Sequence, residues 1–167
     1  MVYACRTHAQ AKQVVAELHK TVYSGVNAVL LGGRDQVCAE PKLKESPIRD
    51  WYCSYLRDVQ RRAGAEGVAL ATKVGGTIGC TLHQEANLRA AQTRVAAQRR
   101  CLDIEDMYQL CVECSACPYY VTLARAQEVQ VLVLPTCTSC VPIVVVVSHL
   151  VLQTSTSWTQ RCVPLQA

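Results

Sequence analysis

Phenylalanine is absent from this 167-residue chain, and only 18% of its residues carry a charge. That charged share lies below the usual ~25%, and mean hydropathy is slightly positive at +0.11, which excludes a disordered, self-repelling tail. Half the residues are hydrophobic, enough at this length to bury a core. No secretory leader is recognisable, because Arg6 interrupts the N-terminus and no apolar segment follows it. The most apolar stretch, residues 141–152, contains His149 and is shorter than the ~18–20 residues a membrane span requires. A membrane partner is therefore not expected. Neither Gly-x-Ser-x-Gly nor His-Glu-x-x-His occurs, so two common hydrolytic chemistries find no foothold.

What the chain has in excess is cysteine, eleven in all. Disulfides, a metal or iron–sulfur site, and use of cysteine as a small apolar residue are the available reasons. Without a leader, and with an odd count, a disulfide framework has little support. Charge is unevenly spread. Residues 57–100 hold eight Lys or Arg against three acids, and residues 101–167 hold two against five. A basic segment beside an acidic one suits a polyanion such as nucleic acid, or simply a solvated helix face. His8, His19, His83 and His149 are scattered. Asp103, Glu105 and Asp106 crowd one acidic turn, which reads as a solvated face.

Hydrophobic periodicity gives the elements. Val2–Cys5 reads as a buried strand. Thr7 is placed to cap a helix on which Ala11, Val14, Val15 and Leu18 share one face. Residues 27–31 read as a second strand, ended by Gly32 and Gly33. Strand, helix, strand is the alternation of a parallel α/β sheet. Residues 39–47 read as a polar loop. Ile48, Trp51, Tyr52, Tyr55, Leu56 and Val59 fall on one helical stripe, which predicts a strongly amphipathic helix with Pro47 suited to its first turn. Further helices are expected over 83–100, 102–110 and 118–128, with buried strands at 129–134 and 143–147.

One metal-ligand spacing stands out. Cys114, Cys117, Cys137 and Cys140 form C-x2-C-x19-C-x2-C, within the range of zinc ribbons. A non-catalytic zinc-binding interaction module is the reading it supports. The helix and buried strand expected between the two pairs sit poorly with a ribbon's short strands and tight turns.

Three stretches taken together carry a family likeness: residues 3–18 (YACRTHAQAKQVVAEL), 31–38 (LGGRDQVC) and 102–135, which includes LDIEDMYQL and CPYYVTLARAQEVQVLVLP. They resemble the first RecA-like domain and inserted iron–sulfur module of the XPD-type superfamily 2 DNA helicases. The likeness covers about residues 2–136 and fades around 63–100. It implies an α/β fold: part of a RecA-like P-loop NTPase sheet with a helical, cysteine-rich insert. The implied division is 1–34 in the RecA-like domain, 35–117 in the insert, 118–140 back in the RecA-like domain, and 141–167 matching nothing. The family uses ATP and magnesium to move along single-stranded or forked DNA in the nucleus, in repair or telomere maintenance. It also carries a four-iron, four-sulfur cluster.

Carried over residue by residue, the likeness makes Cys38, Cys53, Cys80 and Cys117 the cluster ligands, with Cys101 standing in should Cys80 fail. It makes Arg6, Thr7, His8 and Gln10 candidate DNA-backbone contacts. A guanidinium and a hydroxyl at the mouth of a parallel sheet suit phosphate oxygens. The same residues also suit an ordinary helix cap. No Gly-Lys dipeptide and no DEAH sequence occurs, so the ATP machinery of the family is not present in these residues. The chain reads as an internal slice of such a helicase, with no catalytic residue of its own.

Overall fold

The computed structural model describes residues 1–66 and 79–135. Three strands, β1 (Val2–Cys5), β2 (Ala28–Leu30) and β3 (Val131–Pro135), form one parallel sheet. The order is β1-β3-β2, so the last strand lies between the first two. Ala4 is opposite Leu134, and Val29 is opposite Leu132. The helices are α1 (His8–His19), α2 (Arg34–Val37), α3 (Pro41–Lys44), α4 (Arg49–Glu66), α5 (Glu85–Ala97), α6 (Ile104–Glu113) and α7 (Pro118–Arg125). Together they make a small mixed α/β domain.

Alternation along the strands builds two cores. Ala28, Leu30 and Val133 point to one face, where Ala11 and Val15 of α1 cover them together with Cys101. Val29, Leu31, Leu132 and Leu134 point to the other face, against Ala91 and Val95 of α5, Met107, Leu110 and Cys111 of α6, and Val121 of α7. Both faces of β3 are covered, which is why its run reads as continuously apolar. Truncating a buried leucine such as Leu134 to Ala costs about 2–5 kcal/mol.

Two local expectations are corrected. Val2–Cys5 is a strand, but at the sheet edge, and Val2 is half exposed. The stretch read as a polar loop holds α3, with Pro41 at its first position, where a missing amide hydrogen costs nothing. More informative is α4. Its stripe of Ile48, Trp51, Tyr52 and Tyr55 faces outward, with Trp51 65% exposed, while Cys53 faces in. The rings of Trp51 and Tyr55 stack on each other 5.5 Å apart. The strand expected at 143–147 lies outside the described residues, as do Cys137 and Cys140 of the zinc spacing.

Candidate functional site

Cys38, Cys53, Cys80 and Cys117 come from four separate segments, and all four residues are buried. Cys38 closes α2 as its C-cap. Gly32, just before that helix, has no room for a side chain: a Cβ there would come within 2.6 Å of Val37 Cγ1. Cys53 sits in the second turn of α4 and packs with Cys38, Leu43 and Tyr120. Cys80 occupies a turn closed by the His83 amide donating to the Cys80 carbonyl at 3.0 Å. Gly79 enters that turn at φ +94°, a conformation that favours glycine. Cys117 is the N-cap of α7, followed by Pro118 at the first helical position.

The turn around Cys80 is tied to the other three cysteine-bearing segments. The Cys117 amide donates to the Leu82 carbonyl at 2.8 Å. Gln60 of α4 donates through Nε2 to the His83 carbonyl at 2.9 Å. Thr81 donates to Glu40, two residues beyond Cys38, at 2.9 Å. These bonds bring residues distant in sequence into one neighbourhood.

Electrostatics report the same proximity. Burial pushes the thiols of Cys38 and Cys80 above the ordinary cysteine range and that of Cys117 up to about 12. In each case a backbone amide opposes the rise: Glu40 for Cys38, Leu82 for Cys80, and Tyr120 and Tyr119 for Cys117. The charge of Cys53 is felt at all three, and that of Cys80 at Cys117. Among the described residues, no group of three or more His, Cys, Asp or Glu is placed to hold a metal ion.

Next to Cys53 stands a polar group that sequence reasoning missed. The Tyr120 hydroxyl lies 3.8 Å from Cys53 Sγ. It accepts from Arg57 at 2.9 Å and from Arg34 at 3.2 Å. The Arg34 guanidinium lies over the Tyr119 ring at 4.1 Å and pairs with Asp50 at 3.4 Å. Tyr120 is visible in CPYY and Arg34 in GGRDQVC, but only the fold brings them together with Arg57.

Of the remaining described cysteines, Cys111 and Cys114 pack in the same core as Cys117, and the charge of Cys117 is felt at Cys111. Cys101, the stand-in for Cys80, is fully buried beneath α1 in the other core. Cys111 is equally buried and contacts Met107. Cys114 accepts from Arg94 at 3.4 Å.

The candidate DNA contacts lie at the C-terminal end of β1. Thr7 caps α1: its Oγ1 accepts from the Gln10 amide, and Gln10 Oε1 accepts from the Thr7 and Arg6 amides. This capping box occupies both side chains. His8 is half-buried at the first turn, and Arg6 is exposed. Several cations of the basic segment are neutralised locally. Arg61 pairs with Asp58, Arg89 with Glu85, Arg94 with Glu113 and Arg100 with Asp106.

The DEAD_2 family matches residues 3–138, and the chain belongs to that family. It is a distant, partial relative of superfamily 2 helicases. The regulator of telomere elongation helicase 1 homolog of Caenorhabditis elegans is 30% identical over 138 residues, covering 80% of this chain and 12% of that protein. The homolog of Culex quinquefasciatus is 27% identical over 143 residues, covering 81% and 12%. That of Drosophila sechellia is 28% identical over 140 residues, covering 78% and 12%. The chain thus spans about an eighth of the length of these curated relatives.

Proposed function

We propose that this chain is the cluster-bearing portion of a nuclear, ATP-dependent DNA helicase of the XPD type, acting in DNA repair or telomere maintenance. In this reading residues 1–34 and 118–140 belong to a RecA-like lobe, and residues 35–117 are its iron–sulfur insert. Cys38, Cys53, Cys80 and Cys117 hold a four-iron, four-sulfur cluster. The observation that carries the proposal is the common burial of these four cysteines, together with the hydrogen bonds that tie the Cys80 turn to the segments of the other three.

Four cysteines are the donor type that such a group takes. Iron–sulfur clusters take four thiolates, and their cubic core spreads those sulfurs wider than one tetrahedral ion does. The cations of Arg34 and Arg57, both bonded to the Tyr120 hydroxyl beside Cys53, would offset part of the negative charge that four thiolates bring. When bound, the cluster would supply a cross-link between elements and a one-electron redox centre. The chain's own residues hold the sulfurs in place: the α2 end fixes Cys38, the helix backbone fixes Cys53, the Gly79 turn fixes Cys80, and the α7 cap fixes Cys117. Such a cross-link has a structural purpose here. The apolar cluster around Cys38 and Cys53 is small, with Cys38, Leu43 and Cys53 as its buried members, and a thin local core gains most from a staple.

DNA contact is proposed at the mouth of β1, through Arg6, Thr7, His8 and Gln10. Thr7 and Gln10 order the first turn of α1, which leaves the exposed Arg6 as the cation offered to a phosphate. ATP and magnesium belong to the whole helicase. Without Gly-Lys and DEAH sequences, this chain alone hydrolyses no ATP.

Metal analysis of the anaerobically prepared chain tests the proposal. Iron with acid-labile sulfide and a brown absorbance supports it, provided that Cys38→Ser abolishes them. One colourless zinc per chain, insensitive to Cys38→Ser, supports the ribbon of Cys114, Cys117, Cys137 and Cys140 instead. For DNA, affinity measured by fluorescence anisotropy must fall steeply with salt, since phosphate contacts release counterions.

A further inference from the structure

A hollow of about 240 Å³ lies where β2 begins, bounded by Asn27 and Ala28, the end of α5, the start of α6 and the end of α7. The strands are parallel, so this is the end of the sheet opposite the β1 mouth. Three arginines line it, Arg99, Arg100 and Arg125, and Val95, Leu102 and Met107 form an apolar wall. A shallower hollow of about 400 Å³ adjoins it and shares Gly25, Arg99 and Arg100. No Asp or Glu is among the described residues that line either one.

The three arginines are not equally engaged. Arg125, only 15% exposed, donates to Glu128 at 2.8 Å and to Asn27 Oδ1 at 2.6 Å. Asn27 is anchored in turn, donating through Nδ2 to the Glu128 carbonyl at 3.2 Å. Arg100 donates to Asp106 at 3.1 Å. The Arg99 side chain has no ion-pair or hydrogen-bond partner among the described residues. A guanidinium has five N–H donors, so Arg100 and Arg125 keep most of theirs and Arg99 keeps all. Two carboxylates balance two of the three charges, and the third is left over.

The backbone holds Arg99 there at a steric cost. Gln98 is the C-cap of α5, and Arg99 follows it at φ +50°. Glycine is the usual residue in this left-handed position after a helix, because a Cβ is crowded there. An arginine without a partner thus occupies a place that suits glycine, on the wall of a cationic hollow. Strained positions of this kind gather at ligand sites.

The lining defines a class of ligand. Guanidiniums bind carboxylates and phosphates alike. A phosphate monoester brings three terminal oxygens and about −1.5 to −2 charge at neutral pH, whereas a carboxylate brings two oxygens and one charge. The phosphate is the better match to three arginines with one charge left over. The apolar wall suits a compact uncharged body attached to it. We propose that this hollow binds a small phosphate monoester with an apolar body, clamped by Arg99, Arg100 and Arg125. The site depends neither on the cysteines nor on the DNA contact at Arg6.

The test is a titration of the full, nitrogen-15-labelled chain with phenyl phosphate, read from amide chemical shifts. Benzoate, which keeps the ring and changes the anion, and a short single-stranded oligothymidylate are titrated alongside. Phenyl phosphate should move the amides of Ala28, Arg99 and Arg100 saturably and bind about tenfold more tightly than benzoate. Arg99→Gly should weaken it about tenfold, the loss of one charge-assisted contact. Because glycine suits φ +50°, this variant should keep or raise the melting temperature, which separates lost binding from lost fold. Should it not fold, Arg99→Gln, which removes the charge alone, should show the same weakening. Absence of a saturable shift, benzoate binding as tightly as phenyl phosphate, or affinity indifferent to the Arg99 substitution overturns the proposal. Oligothymidylate moving these amides while phenyl phosphate does not would make the hollow part of a nucleic-acid surface, and overturns it too.

Discussion

The Cys117 amide donates to the Leu82 carbonyl at 2.8 Å, across 35 residues of chain. That one bond joins the start of α7 to the turn that carries Cys80, and the turn depends on Gly79 at φ +94°. A Cβ at Gly79 would meet Gln60 Oε1 at 2.8 Å and Gln60 Cβ at 2.9 Å. Gly79→Ala should therefore destabilise the chain by about 1–3 kcal/mol, read from denaturant unfolding, and reduce iron uptake by displacing Cys80. Unchanged stability and unchanged uptake would show that the turn does not set the cysteine's position.

The β1 mouth offers a separation of roles. Thr7→Ala removes the side-chain half of the α1 cap and should cost about 1 kcal/mol of stability. Arg6→Ala should leave the melting temperature within the usual range for surface changes. It should weaken DNA binding and reduce the slope of log affinity against log salt by about 1. If Thr7→Ala alone weakens DNA binding, and Arg6→Ala does nothing, the phosphate contact is misassigned.

Two buried cysteines outside the proposed ligand set give a pH prediction. Burial pushes the thiols of Cys101 and Cys111 up to about 12. A thiol whose folded pKa exceeds its unfolded one favours folding fully below the unfolded value and loses that contribution as pH rises through the folded one. Stability of the metal-free chain should thus decline between about pH 8.5 and about 12. Cys101→Ala and Cys111→Ala should flatten the decline. Alkylation of the native chain at pH 8 should spare both residues. Rapid labelling of either without unfolding would contradict the buried assignment.

The outward stripe of α4 supplies a fourth test. With Trp51 65% exposed and Ile48 57% exposed, Trp51→Ala should change stability by no more than about 0.5 kcal/mol. A loss of several kcal/mol by calorimetry would mean that the aromatic side packs inward after all.

That stripe also marks where sequence reading stops. Periodicity locates α4 correctly, since apolar residues at helical spacing do specify a helix, but it does not say which side is covered. Here Cys53, Leu56 and the contacts to Tyr120 define the inner side, and cysteine is a weak hydrophobic marker. The parallel sheet was legible because β2 and β3 are short apolar runs bounded by turn residues. The insertion of β3 between β1 and β2 was not legible, because register over 130 residues is a long-range property. Thr7 announced its cap, and Gln10 three residues later completes it. Cys38 and Cys117 were marked by their flanking motifs. Arg34, Arg57 and Tyr120 were not singled out, because a hydrogen-bonded group of three is created only by folding.

The most direct test of the central claim is the Mössbauer spectrum of the chain reconstituted with iron-57, recorded for six single substitutions. Cys38→Ser, Cys53→Ser, Cys80→Ser and Cys117→Ser should each abolish the four-iron signal, while Cys101→Ala and Cys111→Ala should retain it. A four-iron signal that survives the loss of Cys38 or Cys117, or that disappears with Cys101, would contradict the assignment.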